Sequence, residues 1–413
     1  MKRTSMLSVL IMLGFAALSC SDYGTNGPFS SPHPMPPLTP AQKAVVSSGN
    51  SFGLKLFKAV NTSEGGKNLL ISPLSVSMAL GMTLNGANGS TKDAMEQTLG
   101  FTGLTREEIN SSYATVMSAL TNLDPRVQME IGNSIWYRPI LNVEQAFKDV
   151  NATYFGAQIT SLDFSDPAAA SVINGWVSEK THGKIPTIVD DPVSSDIVMY
   201  LINAVYFKGT WTHRFDSTTT YDAQFKTSGG LTVPCRMMAM TDTLAFFSEN
   251  GLVGVDLPYG SAGFSMTVFL PPAGTNIDEF IAGVTPEQWD NWTSRLAFTE
   301  LQIRMPKFKL SYDTMLNRPL ESLGMGIAFS DLADFTGIDK RGQLAISEVK
   351  HKTFIQVDEE GTEAAGVTSV GMKATSAGGG PPVILLDRPF LYVIREHASG
   401  AIMFIGKMAR PEW

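Results

Sequence analysis

The chain has 413 residues, of which 43% are hydrophobic and 17% charged, an ordinary globular composition with enough apolar material for a large core. The formal net charge is −8 and no basic block is present, which argues against nucleic acid as a partner and indicates a soluble, acidic surface. The two cysteines, Cys20 and Cys235, are too few for a disulfide framework.

The first forty residues are predicted to lie outside the folded domain. Two basic residues and an apolar run, too short for a membrane span, are typical of a secretory signal peptide at residues 1–19. Ala17-Leu18-Ser19-Cys20 resembles a bacterial lipoprotein cleavage site, with Ala17 where such sites usually have Leu, and ordinary signal cleavage nearby is the alternative. Residues 20–40 would then comprise a lipid-attached Cys20 and a Pro-, Gly- and Ser-rich tether. This predicts a secreted or cell-envelope protein held at a membrane.

Residues 41–413 have the patterns of one folded domain in which helices come first and strands later. Residues 41–61 have helical periodicity, and NLLISPLSVSMALGMTLNGANGSTKDAMEQTLG predicts a short strand, a buried helix, a turn and another helix. The patterns TREEINSSYATVMSALTNL and NVEQAFKDVNATYF are helical, with the strand-like VQMEIGNSIWYRP between them. From Ile197 strands dominate, beginning with IVMYLINAVYFKGTW, which we expect to be buried on both faces. This order predicts the α+β class.

Sequence motifs for catalysis or metal binding are scarce. Ser347-Glu348-Val349-Lys350 fits the S-x-x-K pattern of serine acyl enzymes, but the partner motifs S-D-N and K-T-G are missing, so a surface turn explains it better. No nucleophile elbow, zinc-binding spacing or dinucleotide loop occurs. Among five scattered histidines, His351 opens a predicted strand and by itself indicates a hydrogen-bonded core residue. We therefore predict no enzymatic activity, no metal and no cofactor.

Residues 359–382, EEGTEAAGVTSVGMKATSAGGGPP, lie between two predicted strands yet contain no aromatic residue, Leu or Ile. In an extended conformation one face would carry only small side chains, those of Thr362, Ala364, Gly366 and Thr368. Pro is absent before the final pair, so each amide could donate to a strand ladder. Composition alone favours a flexible surface loop, but the pattern also fits a strand narrow enough to enter a crowded sheet.

Five stretches, in order along about residues 41–413, resemble the serpin family, the serine protease inhibitors. They are NLLISPLSVSMALGMTLNGANGST, INGWVSEKTHGKI, INAVYFKGTW, VDEEGTEAAGVT and ILLDRPFLYVIREHASGAIMFIGK, the last with Asp387, Arg388, Pro389 and Phe390 at its centre. The resemblance implies three β-sheets, eight or nine helices and an exposed reactive-centre loop at about residues 359–382.

The resemblance also implies a metastable native state and a suicide-substrate mechanism. A serine endopeptidase would cleave the loop and form an acyl-enzyme, and the cut loop would then enter the main sheet as an extra strand and distort the trapped protease; serpin loop insertion is a standard example of strand addition. We expect a monomer without a cofactor. The alternative keeps the fold but drops inhibition and makes the protein a binding or storage protein.

Individual residues match the family's functional regions. Ser72, Pro73, Ser75, Asn203 and His351 match the shutter, where the sheet opens, so that His351 is better explained as part of a polar network there. Trp211 matches the tryptophan of the breach, where insertion begins. The implied hinge residues are Glu359, Glu360, Gly361, Thr362, Glu363, Ala364, Ala365, Gly366, Val367 and Thr368.

The bond that a protease would cut has several candidates. Counting forward from Gly361 by the family spacing selects Thr375–Ser376, whereas counting backward from Pro389-Phe390 selects Gly378–Gly379. We favour the hinge count, because insertion constrains the length on that side. Lys373–Ala374 is a further candidate that would attract trypsin-like enzymes, whereas cleavage after Ala374 or Thr375 suits elastase- or subtilisin-like enzymes with small pockets.

Overall fold

The structure is a computed structural model that describes residues 35–362 and 380–413. Its described residues form nine α-helices: α1 Pro40–Ser63, α2 Pro73–Leu84, α3 Gly89–Leu99, α4 Arg106–Thr121, α5 Gln145–Phe155, α6 Ala169–Lys180, α7 Ile277–Gly283, α8 Pro286–Ser294 and α9 Asn317–Leu320. Short 3-10 or π segments cover Ser217–Thr219, Glu321–Met325 and Gly326–Phe329. The predicted helices after residue 40 are therefore present in the predicted order.

Fifteen strands complete the described secondary structure. They are β1 Leu69–Ile71, β2 Val127–Tyr137, β3 Gln158–Ser161, β4 Met199–Thr210, β5 Tyr221–Lys226, β6 Thr232–Glu249, β7 Leu252–Tyr259, β8 Phe264–Leu270, β9 Ala297–Pro306, β10 Phe308–Met315, β11 Lys350–Val357, β12 Gly361–Thr362, β13 Val383–Leu385, β14 Phe390–Glu396 and β15 Ile402–Met408. Helices precede most strands, which confirms the α+β class.

Two hydrogen-bonded sheets organise these strands. The six-stranded sheet has the order β10-β11-β12-β4-β2-β3, and the nine-stranded sheet runs β1-β15-β14-β8-β7-β6-β9-β13, with β5 also paired to β6. β6 pairs with β5 over one part of its length and with β7 over another, while β9 runs alongside. The second and third predicted sheets thus share long strands and are continuous in the hydrogen-bond network.

The helices cover the six-stranded sheet on its two faces. Helix α2 packs under β4, and its N-cap is Ser72, followed by Pro73, whose fixed φ favours the first helical turn. Helix α6 covers the opposite face, where Ile173 and Trp176 form a core with Ile202 of β4. None of the helices in the described ranges has the length and apolar character needed to cross a bilayer.

Strand β4 corrects one expectation. It was predicted to be buried on both faces, but its buried positions alternate with half-buried ones, among them Leu201 and Asn203. Both of these residues line a cavity beside the strand. The incomplete burial therefore has a local cause: β4 lacks a directly paired neighbour along that edge within the described part of the chain.

Candidate functional site

A gap between β4 and β11 is the most distinctive feature of the six-stranded sheet. Among the described residues these two strands share no ladder, and only the two-residue strand β12 pairs with both. Further along, a cavity of about 150 Å³ is lined by residues 197–204 and 344–352, with α2 beneath it. The residues between α6 and β4, including Ile185 and Val189, cover its outer side. The arrangement is a strand-wide slot that opens next to the predicted hinge.

Strand β12 approaches β4 so closely that only glycine fits at its first position. Gly361 has a φ of +153°, and a Cβ built on it would lie 2.1 Å from the carbonyl oxygen of Gly209. Next to it, the Thr362 hydroxyl lies 2.5 Å from the Tyr259 hydroxyl, and Thr362 is buried. The first two residues of the reactive-loop strand are thus held inside the sheet.

Trp211, predicted to lie at the breach, is buried where β12 begins. Its ring stacks on Tyr259 at a centroid distance of 4.4 Å and an interplanar angle of 10°. Its indole N–H donates to the carbonyl of Asp358 at 2.9 Å, and its backbone N–H donates to the carbonyl of Glu360 at 2.9 Å. The indole therefore anchors the turn that reverses the chain from β11 into β12.

Two ion pairs hold the same turn from outside. Glu359 accepts from Lys307 at 2.8 Å and from the Thr220 hydroxyl at 2.7 Å, and Glu360 pairs with Arg214 at 2.5 Å. Burial acts to raise the pKa of Glu359, but the bonds from Lys307 and Thr220 outweigh it and lower that pKa. Glu359 is therefore ionised at neutral pH.

The residues predicted for the shutter meet at the far end of the slot. The backbone N–H of Ser72 donates to His351 Nε2 at 3.0 Å, and the Ser72 hydroxyl caps α2 by accepting from the N–H of Ser75. The Ser75 hydroxyl makes a long 3.4 Å bond to the carbonyl of Asn203. Pro73 packs against α1 at Gly53, where a Cβ would lie 2.5 Å from the proline ring.

Asn203 leaves one polar atom unused in the described structure. Its Nδ2 donates to Asn133 Oδ1 at 2.7 Å, but its own Oδ1 is buried without a hydrogen-bond partner. Such an atom costs free energy until it is satisfied. Asn203 and His351 both line the cavity, one on each side of the slot. A hydrogen-bond donor placed between these two residues could therefore bond to Asn203 Oδ1.

Burial dominates the acid–base behaviour of His351. Desolvation lowers the pKa of this side chain to about 4, so the ring is neutral at physiological pH. Because Nε2 accepts from Ser72, the proton of the neutral ring lies on Nδ1.

We expect this histidine to make the folded protein less stable in mild acid. Between pH 6.5 and about 4 the unfolded chain binds a proton on His351 that the folded chain does not, so stability falls as the pH falls, by about 3 kcal/mol in total. Urea unfolding of the wild type and His351→Gln across this range measures the difference. His182→Gln, at a half-exposed position, is the matched control and should retain the contribution of His351. Equal slopes for the wild type and His351→Gln would contradict the assignment.

Other predicted site residues lie outside the described residues. They are Cys20, the hinge residues from Glu363 to Thr368 and the cleavage candidates Lys373, Ala374, Thr375, Ser376, Gly378 and Gly379. Cys235 is described, and it is a free, half-buried thiol.

The S-x-x-K match does not form an acyl-enzyme site. Ser347 is exposed in a segment without helical structure, where residues three apart do not share a face. Lys350 pairs with Asp190 and Glu348, and although burial acts to lower the pKa of Lys350, these carboxylates raise it. A lysine held as a cation cannot act as the base.

Sequence reasoning identified Trp211 but missed the other residues that hold the hinge in place. They come from three separate places in the chain, and nothing in their local patterns distinguishes them from ordinary strand or loop residues. They are Tyr259, Lys307, and Arg214 with Thr220 in the connection between β4 and β5. Only the hinge residues that they contact were visible in the sequence.

Comparison with known proteins identifies the family of this chain. The family described as Serpin (serine protease inhibitor) matches residues 47–411. The chain belongs to the serpin family. Its relatives include the leukocyte elastase inhibitor of Sus scrofa, 32% identical over 89% of this chain and 99% of that protein.

Solved serpin structures share the fold. Tengpin, a thermophilic serpin solved in the native state, superposes with a TM-score of 0.82 at 33% identity, covering 91% of this chain and 95% of tengpin. Human thyroxine-binding globulin, solved in complex with thyroxine, has a TM-score of 0.82 at 27% identity over 90% of this chain and all of that one. The predicted serpin fold is thus confirmed, and the structures that share it include a thyroxine-binding globulin.

Proposed function

We propose that this serpin inhibits serine endopeptidases by a suicide-substrate mechanism and is not itself an enzyme. The observation that carries the proposal is the slot between β4 and β11, in which the described residues of β12, Gly361 and Thr362, already pair with the neighbouring strands. Among the described residues, the edges of β4 and β11 beyond β12 have no ladder partner, so an additional strand could pair with both. The chain that follows β12 is the small-residue segment, the part of the sequence best suited to fill it.

The strand register predicts which residues of β4 and β11 would pair with the loop residues if β12 lengthened after cleavage. Thr362 lies opposite Gly209 of β4 and Val357 of β11. Six residues further in an antiparallel ladder, Thr368 comes level with Asn203 on one side and with His351 on the other. Both ladders give the same match. Thr368 would face inward like Thr362, where its hydroxyl can donate to the unpartnered Asn203 Oδ1.

The hydrogen-bond gain of such an insertion is of the same order as the stability of a protease domain. About ten inserted residues at roughly 0.5–1.5 kcal/mol per net hydrogen bond contribute on the order of 10 kcal/mol. A protease domain is stable by roughly 5–15 kcal/mol. Ordering the loop offsets part of this gain, since a cut chain loses conformational freedom on entering the sheet.

The targets that we propose follow from the cleavage candidates. Lys373 suits a trypsin-like enzyme, whereas Ala374 and Thr375 suit elastase- or subtilisin-like enzymes, and the pig relative is named as an elastase inhibitor. We further propose a secreted, monomeric protein attached to a membrane through lipid on Cys20. The signal-like first nineteen residues and the tether composition support this location.

The direct test is incubation with trypsin, elastase and subtilisin, followed by denaturing gels. We expect an SDS-stable complex of serpin and protease with at least one of the three, and none when the active-site serine of the same protease is blocked beforehand. Mass spectrometry of the released C-terminal peptide identifies the bond. Cleaved serpin without any stable complex would refute inhibition of these proteases by this route.

A second candidate is a binding or storage protein with the same fold, as thyroxine-binding globulin illustrates. The slot and the small-residue hinge favour inhibition, since neither is needed to hold a ligand. A binding protein of this kind would be cleaved in its loop and would neither trap the protease nor gain heat resistance.

A further inference from the structure

The residues after β15 lie against the junction of β9 and β10. The backbone N–H of Lys309 donates to the carbonyl of Glu412 at 2.7 Å. One residue further, the ring of Trp413 covers the ammonium of Lys307, which lies 4.1 Å from the ring centroid. This is well within the distance at which an aromatic face attracts a cation.

The covered ammonium is the one that holds the hinge. Lys307 Nζ lies 2.8 Å from Glu359 Oε2, and the two side chains are 17% and 10% exposed. Glu359 starts the turn between β11 and β12, and its carbonyl accepts from the N–H of Phe215 at 3.0 Å. Trp413, itself 58% exposed, therefore forms the outer layer of a stack with Lys307 and Glu359 beneath it.

We propose that Trp413 is a positioning residue for loop insertion, acting through Lys307 and Glu359 on the hinge turn; the proposal rests on the proposed inhibitory function. The indole face shields the ammonium from water and attracts it, so the ion pair competes with less solvent than a bare surface pair would. A well-held pair keeps residues 358–361 in the turn that directs the loop into the slot. The contact thus favours insertion over escape of the protease.

Hydrogen exchange of the uncleaved protein tests the contact without any protease. The amide of Asp358 bonds to the Gly361 carbonyl at 3.0 Å, and that of Glu360 bonds to Asp358 Oδ1 at 3.0 Å. In Trp413→Leu, which stays apolar but has no aromatic face, these amides should exchange about two- to tenfold faster, with Trp413→Phe between it and the wild type. Strand β2 is the internal control and should be unchanged. Equal exchange of the hinge amides in all three proteins would overturn the proposal.

Inhibition kinetics test the consequence. We expect Trp413→Leu to consume about two- to tenfold more inhibitor per protease trapped, with an unchanged rate of first loop cleavage. Combining it with Glu359→Gln should add little to the effect of Glu359→Gln alone, because both changes act on one pair. Additive effects would place Trp413 outside this pathway. If the wild type trapped no protease while the exchange difference persisted, the contact would stand and the proposed function would fail.

Discussion

Cutting the chain between residues 372 and 379 is expected to raise the melting temperature of this serpin by about 10–20 °C. The freed segment would extend β12 between β4 and β11, whose facing edges share no ladder in the described residues. A gain on the order of 10 kcal/mol, spread over a domain of this size, corresponds to that shift. Calorimetry before and after limited proteolysis measures it, with the released peptide identifying the cut.

The matched control is a nick elsewhere in the chain. The turn at residues 227–231 between β5 and β6 includes Leu231, which is 70% exposed, so a protease site engineered there can be cut without freeing the loop. That nick should leave the melting temperature unchanged or lower it. If cutting the loop changed the melting temperature no more than cutting this turn does, the result would show that the cut loop does not insert into the sheet.

Thr362→Arg should convert the inhibitor into a substrate. Thr362 is 3% exposed and its hydroxyl lies 2.5 Å from that of Tyr259, beside the stacked Trp211. An arginine there would have to be buried without a charged partner or displace β12, which costs several kcal/mol. Because every 1.4 kcal/mol is a factor of ten, insertion should slow by about a hundredfold or more relative to release of the protease.

The measurement is the number of inhibitor molecules consumed per protease inactivated, together with SDS-stable complex on gels. We expect complex to vanish in Thr362→Arg while loop cleavage continues at a similar rate, since the cleavage candidates lie more than ten residues away along the chain. Thr362→Ser keeps the hydroxyl and the size class, so it should remain an inhibitor. Undiminished complex formation by Thr362→Arg would show that loop insertion does not require a small, uncharged side chain at this buried position.

Much of the helical framework could be predicted from local signals. Ser72 followed by Pro73 marks the start of α2, and the capping box of Thr105 and Glu108 marks the start of α4. The predominance of strands from residue 197 onward was visible from β-branched and aromatic runs, but β5 and β6 were not predicted. What local patterns could not provide was the number of sheets, because β6 and β9 belong to two sheet regions at once.

The residues of the candidate site also divide into those that local sequence patterns identified and those that only the structure revealed. Gly361 and Thr362 were identified by their motif and their small size, and their positions inside the sheet agree with that choice. Tyr259 and Lys307 were not, because each contacts a hinge residue that lies more than fifty residues away along the chain. Trp413 was not, because it reaches the hinge only through Lys307.

By itself, the sequence determined the class of fold, the order of the first five helices, the predominance of strands from residue 197 onward and the presence of a small-residue segment suited to become a strand. These depend on periodicity, capping and side-chain size, which act between near neighbours in the chain. Only the tertiary structure decided that β4 and β11 share no ladder in the described residues and that Asn203 and His351 line the cavity from opposite sides. It also decided that the indole of Trp413, after β15, covers Lys307 of the hinge ion pair. These features are long-range, since they depend on which distant segments pack together, and no local pattern encodes that.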